Sequence, residues 1–183
     1  MTKKYNSVLI IGMGLIGSSI SRALVENHVA NSVYGLDTNY KIIKKCNDLN
    51  LLVQGETNLN NFDLQFDLIT ICTPLSAYKN IFSSLSDFIS QPTLITDVGS
   101  TKMSTISDFK NAVTNNNITF VPSHPIAGLE KSGPEYGFSK LFDNRYCISN
   151  KAAVNAGVRS NKYIITNYNA AHMRNIYDTN FIT

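Results

Sequence analysis

A glycine pattern that directly follows a short apolar run restricts the fold of this chain more than any other feature. Residues 8–11 are all apolar and rich in β-branched side chains, as in a strand buried on both faces of a parallel sheet. They are followed by a G-x-G-x-x-G motif, Gly12-Met13-Gly14-Leu15-Ile16-Gly17. Apolar residues then recur at helical spacing, so the motif is predicted to join a strand to a helix.

A motif in this setting is typical of a dinucleotide-binding loop. Gly12 would permit the tight turn, Gly14 would let the backbone approach a pyrophosphate, and Gly17 would let the helix pack close to the sheet. The whole motif is therefore a candidate cofactor-binding loop, with phosphate held at the helix N-terminus. A glycine-rich turn that binds no ligand is the alternative.

Strands and helices are predicted to alternate up to about residue 150. Strands are expected at residues 8–11, 32–37, 52–53, 68–72, 93–98 and 118–121, and helices at 15–28, 39–47, 75–89 and 104–115. This order predicts a Rossmann-type, doubly wound α/β domain with a mostly parallel sheet over residues 1–150, with 145–149 as a candidate edge strand. Residues 151–183 have little periodicity and are predicted to form an irregular tail, with at most a weak helix from residue 170.

The composition argues against several classes of protein. The hydrophobic fraction of 43% and charged fraction of 16% are those of a globular chain, and a net charge of +3 with scattered Lys and Arg gives no reason to expect a nucleic-acid partner. No segment approaches the roughly 20 apolar residues of a membrane helix. Cys46, Cys72 and Cys147 lack a CxxC spacing, which favours reduced thiols in a cytoplasmic protein over disulfides or a metal site.

Polar residues follow two predicted strands at the edge where open α/β sheets bind ligands. Asp37 ends the second strand, at the position where an acid accepts hydrogen bonds from an adenosine ribose and repels a 2′-phosphate, so NAD is favoured over NADP. A turn or helix-capping role for Asp37 is the alternative. Thr73 and Pro74 follow the strand at 68–72 and are candidate cofactor contacts, although a plain loop proline fits equally well.

Two further positions are candidates for chemistry. Ser100 lies in a glycine turn before a helix, where it could hold a substrate hydroxyl, orient an imidazole, or share with Thr101 the role of N-cap. His124 follows the last parallel strand and precedes Pro125, which disfavours helical geometry. An imidazole suits proton acceptance near neutrality, but a histidine in a loop is often structural.

These motifs together resemble the prephenate dehydrogenase family, which includes arogenate and cyclohexadienyl dehydrogenases. The resemblance runs from about residue 7 to about residue 148. Its motifs are the glycine loop, Thr73-Pro74, Asp97-Val98-Gly99-Ser100-Thr101-Lys102 and His124-Pro125-Ile126-Ala127-Gly128-Leu129-Glu130-Lys131-Ser132-Gly133. It implies a cofactor domain for the NAD-dependent oxidative decarboxylation of prephenate or arogenate on the route to tyrosine.

The resemblance also implies roles for individual residues. His124 would accept a hydrogen bond, and then the proton, from the ring 4-hydroxyl of the substrate, while the hydride passes to the nicotinamide. Ser100 would hydrogen-bond the same hydroxyl and help to place His124. Glu130 would lie at the mouth of the pocket.

The resemblance ends where the predicted tail begins. Members of the family continue into an all-helical domain that forms the dimer and supplies an arginine for the substrate carboxylate, and residues 151–183 resemble none of it. A truncated or frameshifted product is therefore predicted. The alternatives are a non-catalytic NAD-binding remnant or partner subunit, and a β-hydroxyacid dehydrogenase, whose family does not share the His-Pro-Ile-Ala-Gly segment.

Overall fold

A six-stranded parallel sheet forms the centre of the protein. The computed structural model describes residues 5–150 and 163–168. The strands of this sheet are β1 (Tyr5–Ile11), β2 (Ala30–Leu36), β3 (Gln54–Glu56), β4 (Leu68–Ile71), β5 (Thr93–Asp97) and β6 (Ile118–Val121). Their order is β3-β2-β1-β4-β5-β6, and each neighbouring pair is parallel. The predicted doubly wound α/β fold is confirmed.

Helices cover both faces of this sheet. They are α1 (Leu15–Glu26), α2 (Tyr40–Asp48), α3 (Tyr78–Phe88) and α4 (Lys102–Ala112). Successive side chains of a strand point to opposite faces, so β1 places Val8 and Ile10 in one apolar core and Leu9 and Ile11 in the other. An uninterrupted apolar run is therefore what a central strand between two helical layers requires.

An aromatic cluster fixes α3 and α4 on their face of the sheet. Phe82 of α3 lies 5.4 Å from Phe109 of α4 and 5.2 Å from Phe120 of β6, measured between ring centroids. Phe109 and Phe120 are stacked at 4.9 Å, and all three side chains are fully buried. These contacts set the position of α4, whose first residue belongs to the site described below.

A second, antiparallel sheet follows the parallel one. It consists of β7 (Ser123–Pro125), β8 (Arg145–Asn150) and β9 (Tyr163–Tyr168), in that order. Pro122 separates β6 from β7, and proline has no backbone N–H with which to continue a strand ladder. Three residues are too few to show a strand pattern, so β7 was not predicted.

Two predictions about the end of the chain need correction. Residues 145–149 do form a strand, but β8 belongs to the second sheet and is not an edge strand of the parallel one. Residues 163–168 form β9, although an irregular tail was predicted there, because the pairing with β8 supplies order that the local sequence does not signal. The rest of 151–183, with its predicted weak helix, lies outside the described residues.

Smaller corrections concern the bounds of elements. The third strand lies at Gln54–Glu56 and not at 52–53, because the Leu51 N–H closes the end of α2 on the Cys46 carbonyl and delays the start of β3. The helix predicted from residue 75 begins as a 3₁₀ turn, Leu75–Ala77, with Pro74 as its N-cap. The helix predicted from residue 104 begins earlier, at Lys102.

The segment after β7 is tied to α1. A guanidinium nitrogen of Arg22 donates to the Pro134 carbonyl at 3.1 Å, and the Phe138 N–H donates to the Ser19 hydroxyl at 3.1 Å. Gly137 lies so close to α1 that a side chain there would overlap the Ser18 hydroxyl. These contacts anchor the far end of the loop that follows β7.

Within 5–150 and 163–168, no helix is both long and apolar enough to cross a bilayer.

Candidate functional site

A cleft opens where the parallel sheet changes its direction of winding. The strand order runs outward from β1 through β2 to β3 and from β4 to β6, so the carboxyl ends of β1 and β4 leave a crevice between them. The cavity there has a volume of about 650 Å³. Its lining brings together several residues singled out from the sequence, namely Gly12, Gly14, Asp37, Thr73 and Pro74.

The three glycines of the loop differ in what an added side chain would meet. Gly12 has a φ of +93°, and a Cβ there would lie 2.8 Å from the carbonyl group of Cys72. A Cβ on Gly17 would overlap the carbonyl oxygen of Gly12. Gly14 differs, because an added Cβ would have nothing within 4 Å. The open space at Gly14 faces the cleft and leaves room for a ligand to approach the backbone.

The other motif residues do not reach the cleft with their side chains. Met13 and Leu15 are buried in the core beneath the loop, and Ile16 packs against the same core. Their contribution to a ligand site is limited to backbone groups. The first turn of α1 carries no acidic residue and no side-chain cap, so its N–H groups are available to an anion.

Asp37 anchors the glycine loop, a role that the sequence did not indicate. Its Oδ2 accepts the Met13 N–H at 2.9 Å, and its Oδ1 accepts the Asn39 N–H at 2.9 Å. Asn39 in turn caps α2 through the Lys41 N–H. The turn role considered for Asp37 is therefore present, and the same half-buried carboxylate also lines the cleft. The link to Met13 spans 24 residues, which explains why local patterns missed it.

Thr73 presents an unpaired polar atom at the cleft. Its Oγ1 is buried and has no hydrogen-bond partner in the described part of the chain. A buried hydroxyl without a partner is unfavourable unless a ligand or water satisfies it. Thr73 also lies two residues after the end of β4, beside the Gly12 turn. This arrangement fits a polar ligand that enters the cleft.

His124 lies on β7 rather than in a loop, paired in register with Ile148. Its Nδ1 is 2.9 Å from the Val98 carbonyl oxygen. A carbonyl oxygen only accepts, so Nδ1 must carry the hydrogen, and in the neutral ring Nε2 is then the nitrogen without one. The half-buried imidazole is thereby arranged to accept a proton at Nε2.

Ser100 and Glu130 are not brought into contact with His124. Both side chains are exposed, and among the residues that the structure describes neither forms a hydrogen bond with the imidazole. The N-cap of α4 is Thr101, whose hydroxyl pairs with that of Ser104 at 2.7 Å instead of a helix N–H. The cleft between the ends of β1 and β4 is not lined by Ser100, Glu130 or His124.

A buried ion pair beside His124 was not given a role from the sequence. Lys102 Nζ lies 2.8 and 2.9 Å from the two carboxylate oxygens of Asp97 and donates to the Ser123 carbonyl at 2.5 Å. Asp97 also accepts the backbone N–H groups of Ser123 and Gly99, each at 2.9 Å. Burial raises the pKa of the Asp97 carboxyl and lowers that of the Lys102 ammonium, while their attraction opposes both shifts.

The sequence did carry a signal for this pair. An acid ends β5 and a lysine follows five positions later at the start of α4, so both fall at the same sheet edge. Among the described residues, each hydrogen-bond partner of the Asp97 carboxylate is a donor, so the ionised form is the one that these contacts satisfy.

Comparison with known proteins identifies the family. The family described as "Prephenate dehydrogenase, nucleotide-binding domain" matches residues 20–156. The chain belongs to the prephenate dehydrogenase family. The matched range contains Asp97, Lys102 and His124 but begins after the glycine loop, so the assignment of that loop depends on its own geometry.

Relatives and solved structures agree with this assignment. The chain is 31% identical to cyclohexadienyl dehydrogenase of Zymomonas mobilis over 140 residues, which are 76% of this chain and 47% of that protein. It is 30% identical to prephenate dehydrogenase of Bacillus subtilis over 149 residues, 81% of this chain and 40% of that one. A crystal structure of prephenate dehydrogenase from Aquifex aeolicus, in complex with hydroxyphenyl propionate and NAD+, superposes with a TM-score of 0.76 at 31% identity, covering 83% of this chain and 52% of the other. The chain therefore spans about half the length of these relatives, or less.

Proposed function

We propose that this chain binds NAD in the cleft between the ends of β1 and β4, within a dinucleotide-binding domain that extends to about residue 150. The open space at Gly14 and the first turn of α1 suit a pyrophosphate. The unpaired hydroxyl of Thr73 offers a further polar contact. Asp37 contributes the negative charge among the described lining residues, which suits a ribose hydroxyl and disfavours a 2′-phosphate.

We further propose that the chain belongs to an enzyme that oxidatively decarboxylates prephenate or arogenate. The observation that carries this proposal is the contact between His124 Nδ1 and the Val98 carbonyl, which leaves Nε2 as the acceptor. His124 would take the proton from the ring 4-hydroxyl of the substrate at Nε2. NAD, when bound, would accept the hydride that leaves the ring carbon bearing this hydroxyl. Proton transfer to His124 would neutralise the positive charge that loss of the hydride leaves on the carbon–oxygen unit, so a carbonyl forms there, and loss of CO2 would then restore an aromatic ring.

Ser100 and Glu130 are proposed to act on the substrate side of His124. The Ser100 hydroxyl is exposed next to Gly99, at the same carboxyl-terminal edge of β5 that provides the Val98 carbonyl. Glu130 lies in the loop between β7 and the anchored turn Pro134–Tyr136. Both side chains are free to face a substrate, and neither is needed for the internal hydrogen bonds of the described domain.

A second candidate is a chain that binds NAD but does not turn over substrate alone. The observation that favours it is the exposure of Ser100 and Glu130, because the described residues do not enclose a substrate pocket around His124. In that case the pocket would be completed by residues outside this chain's described part, or by a partner. NAD binding would be the same in both cases.

One assay separates these candidates. The purified chain is incubated with NAD and prephenate while NADH absorbance is followed, beside a His124→Asn variant, and NAD binding is measured independently by calorimetry. Turnover that falls by about 10²–10⁴-fold in the variant is expected for a general base. Intact NAD binding without turnover would overturn the autonomous enzyme and support the second candidate. No NAD binding would overturn both.

A further inference from the structure

The buried Asp97–Lys102 ion pair has no role in the proposed cofactor site. Asp97 is fully buried and Lys102 is 8% exposed, so both charges have lost most of their hydration. Such pairs contribute little net stability, because desolvation offsets much of their attraction. An ion pair placed beside the proposed base therefore calls for an explanation other than stability.

The pair holds the backbone on the N-terminal side of His124 from two directions. Lys102 donates to the Ser123 carbonyl, which belongs to the peptide unit that leads into His124. Asp97 Oδ1 accepts the Ser123 N–H, and the Asp97 backbone carbonyl accepts the Ser123 hydroxyl at 2.7 Å. Both backbone groups of Ser123 are thus bonded to the pair, which fixes the start of β7.

The same pair also holds the partner of the imidazole. Val98 lies between Asp97 and Gly99, and the Gly99 N–H is bound to Asp97 Oδ2. The Val98 N–H donates to the Ile71 carbonyl at 3.1 Å. The Val98 carbonyl that accepts the His124 Nδ1–H therefore belongs to a peptide unit restrained on both sides. One ion pair positions both the imidazole and its acceptor.

We propose that Asp97 and Lys102 are positioning residues that hold His124 in the Nδ1–H form and leave Nε2 as the proton acceptor. The claim that Nε2 accepts the substrate proton rests on the proposed function. The claim that the pair holds His124 in the Nδ1–H form does not. A merely structural pair would join β5, β7 and α4 without affecting which ring nitrogen carries the hydrogen. The position of that hydrogen is therefore the decisive readout.

Nitrogen-15 NMR of the ligand-free chain, labelled on its histidines, measures the tautomer directly. His124→Asn identifies the His124 signals among those of the chain's histidines. At a pH where the ring is neutral, the Nδ1–H form is expected to dominate in the wild type. Lys102→Met is expected to shift the ratio towards Nε2–H by about fivefold, which is about 1 kcal/mol at 1.4 kcal/mol per tenfold.

Two variants keep this test independent of stability. Phe109→Leu weakens the packing of α4 without touching the pair, so it should lower the free energy of unfolding but leave the tautomer ratio unchanged. Asp97→Asn combined with Lys102→Met removes both charges, so no lone buried charge remains to unfold the chain, and it should shift the ratio in the same direction as Lys102→Met.

Either of two results would overturn the proposal. One is a wild-type His124 that is mainly Nε2–H. The other is a folded Lys102→Met or double variant whose tautomer ratio equals that of Phe109→Leu. Neither result depends on NAD or substrate, so failure of the proposed function remains separate. If turnover is present, Lys102→Met should lower kcat more than it changes KM for NAD, because the pair does not line the cofactor cleft.

Discussion

Asp37 offers a sharp test of how the cofactor loop is held, because its carboxylate has two measurable tasks. It accepts the Met13 N–H from the glycine loop and the Asn39 N–H at the start of α2, both at 2.9 Å. The first bond is partly buried and the second is exposed. The two bonds therefore differ in how readily water can replace the carboxylate.

The expected stability losses follow from this difference. Asp37→Asn keeps one acceptor oxygen, which will face the less accessible Met13 N–H, while water replaces the exposed bond to Asn39. The expected loss is about 0.5–1 kcal/mol. Asp37→Ala removes both acceptors and leaves the Met13 N–H without a partner, so we expect a loss of about 2–3 kcal/mol. NAD affinity should fall in both variants, and more in the alanine variant.

Urea unfolding without ligand measures the free energies, and calorimetry measures NAD binding. Asp48→Asn is the matched control, because Asp48 is an exposed acid on α2 whose only described ion pair is with Lys44. We expect no measurable stability change in it. An Asp37→Ala variant as stable as Asp48→Asn would refute the idea that Asp37 anchors the glycine loop.

Three further predictions concern the loop, the thiols and the core. Gly17→Ala should lower the unfolding free energy by about 1–3 kcal/mol through overpacking. Gly14→Ala should be as stable as the wild type in urea titrations and should weaken only NAD binding. Equal stability losses in the two variants would contradict the geometry of the loop. Burial raises the pKa of the Cys46 and Cys147 thiols to about 11, so at pH 8 only about one part in a thousand is thiolate, against roughly a quarter for an ordinary thiol. Ellman's reagent should therefore react with both about 250-fold faster after unfolding in urea, and fast reaction of the native chain would count against their burial. Phe82→Ala should lower the unfolding free energy by about 3–5 kcal/mol, and a loss below 1 kcal/mol would mean that the aromatic cluster is not packed as described.

Features set by local sequence were predictable. One contiguous stretch of chain contains the apolar run of β1, the glycine motif and the helical spacing of α1. That stretch alone therefore predicts a strand, a tight turn and a helix. Repetition of strand and helix predicts a doubly wound, mostly parallel sheet, whereas the strand order that places the cleft between β1 and β4 comes from the structure. Gly12, Asp37 and Thr73, which were singled out from the sequence, all line this cleft, and their contact with a cofactor remains a prediction.

Features that depend on distant partners were not predictable. Lys102 contacts the Ser123 carbonyl across 21 residues, and β7 exists because it pairs with β8 more than twenty residues later. Neither contact leaves a periodic pattern, since a three-residue strand and one lysine carry none. The glycine turn before α4 made Ser100 a candidate for chemistry, whereas the buried Lys102, two positions later, makes the contact that reaches β7.

A crystal structure of the chain grown with NAD would test the proposed cofactor site most directly. We expect the pyrophosphate against Gly14 and the first turn of α1, the adenosine ribose at Asp37, and the nicotinamide end towards Thr73 and His124. NAD bound elsewhere, or a cleft that stays empty at saturating NAD, would contradict the assignment of the cleft and of His124 as the proton acceptor beside it.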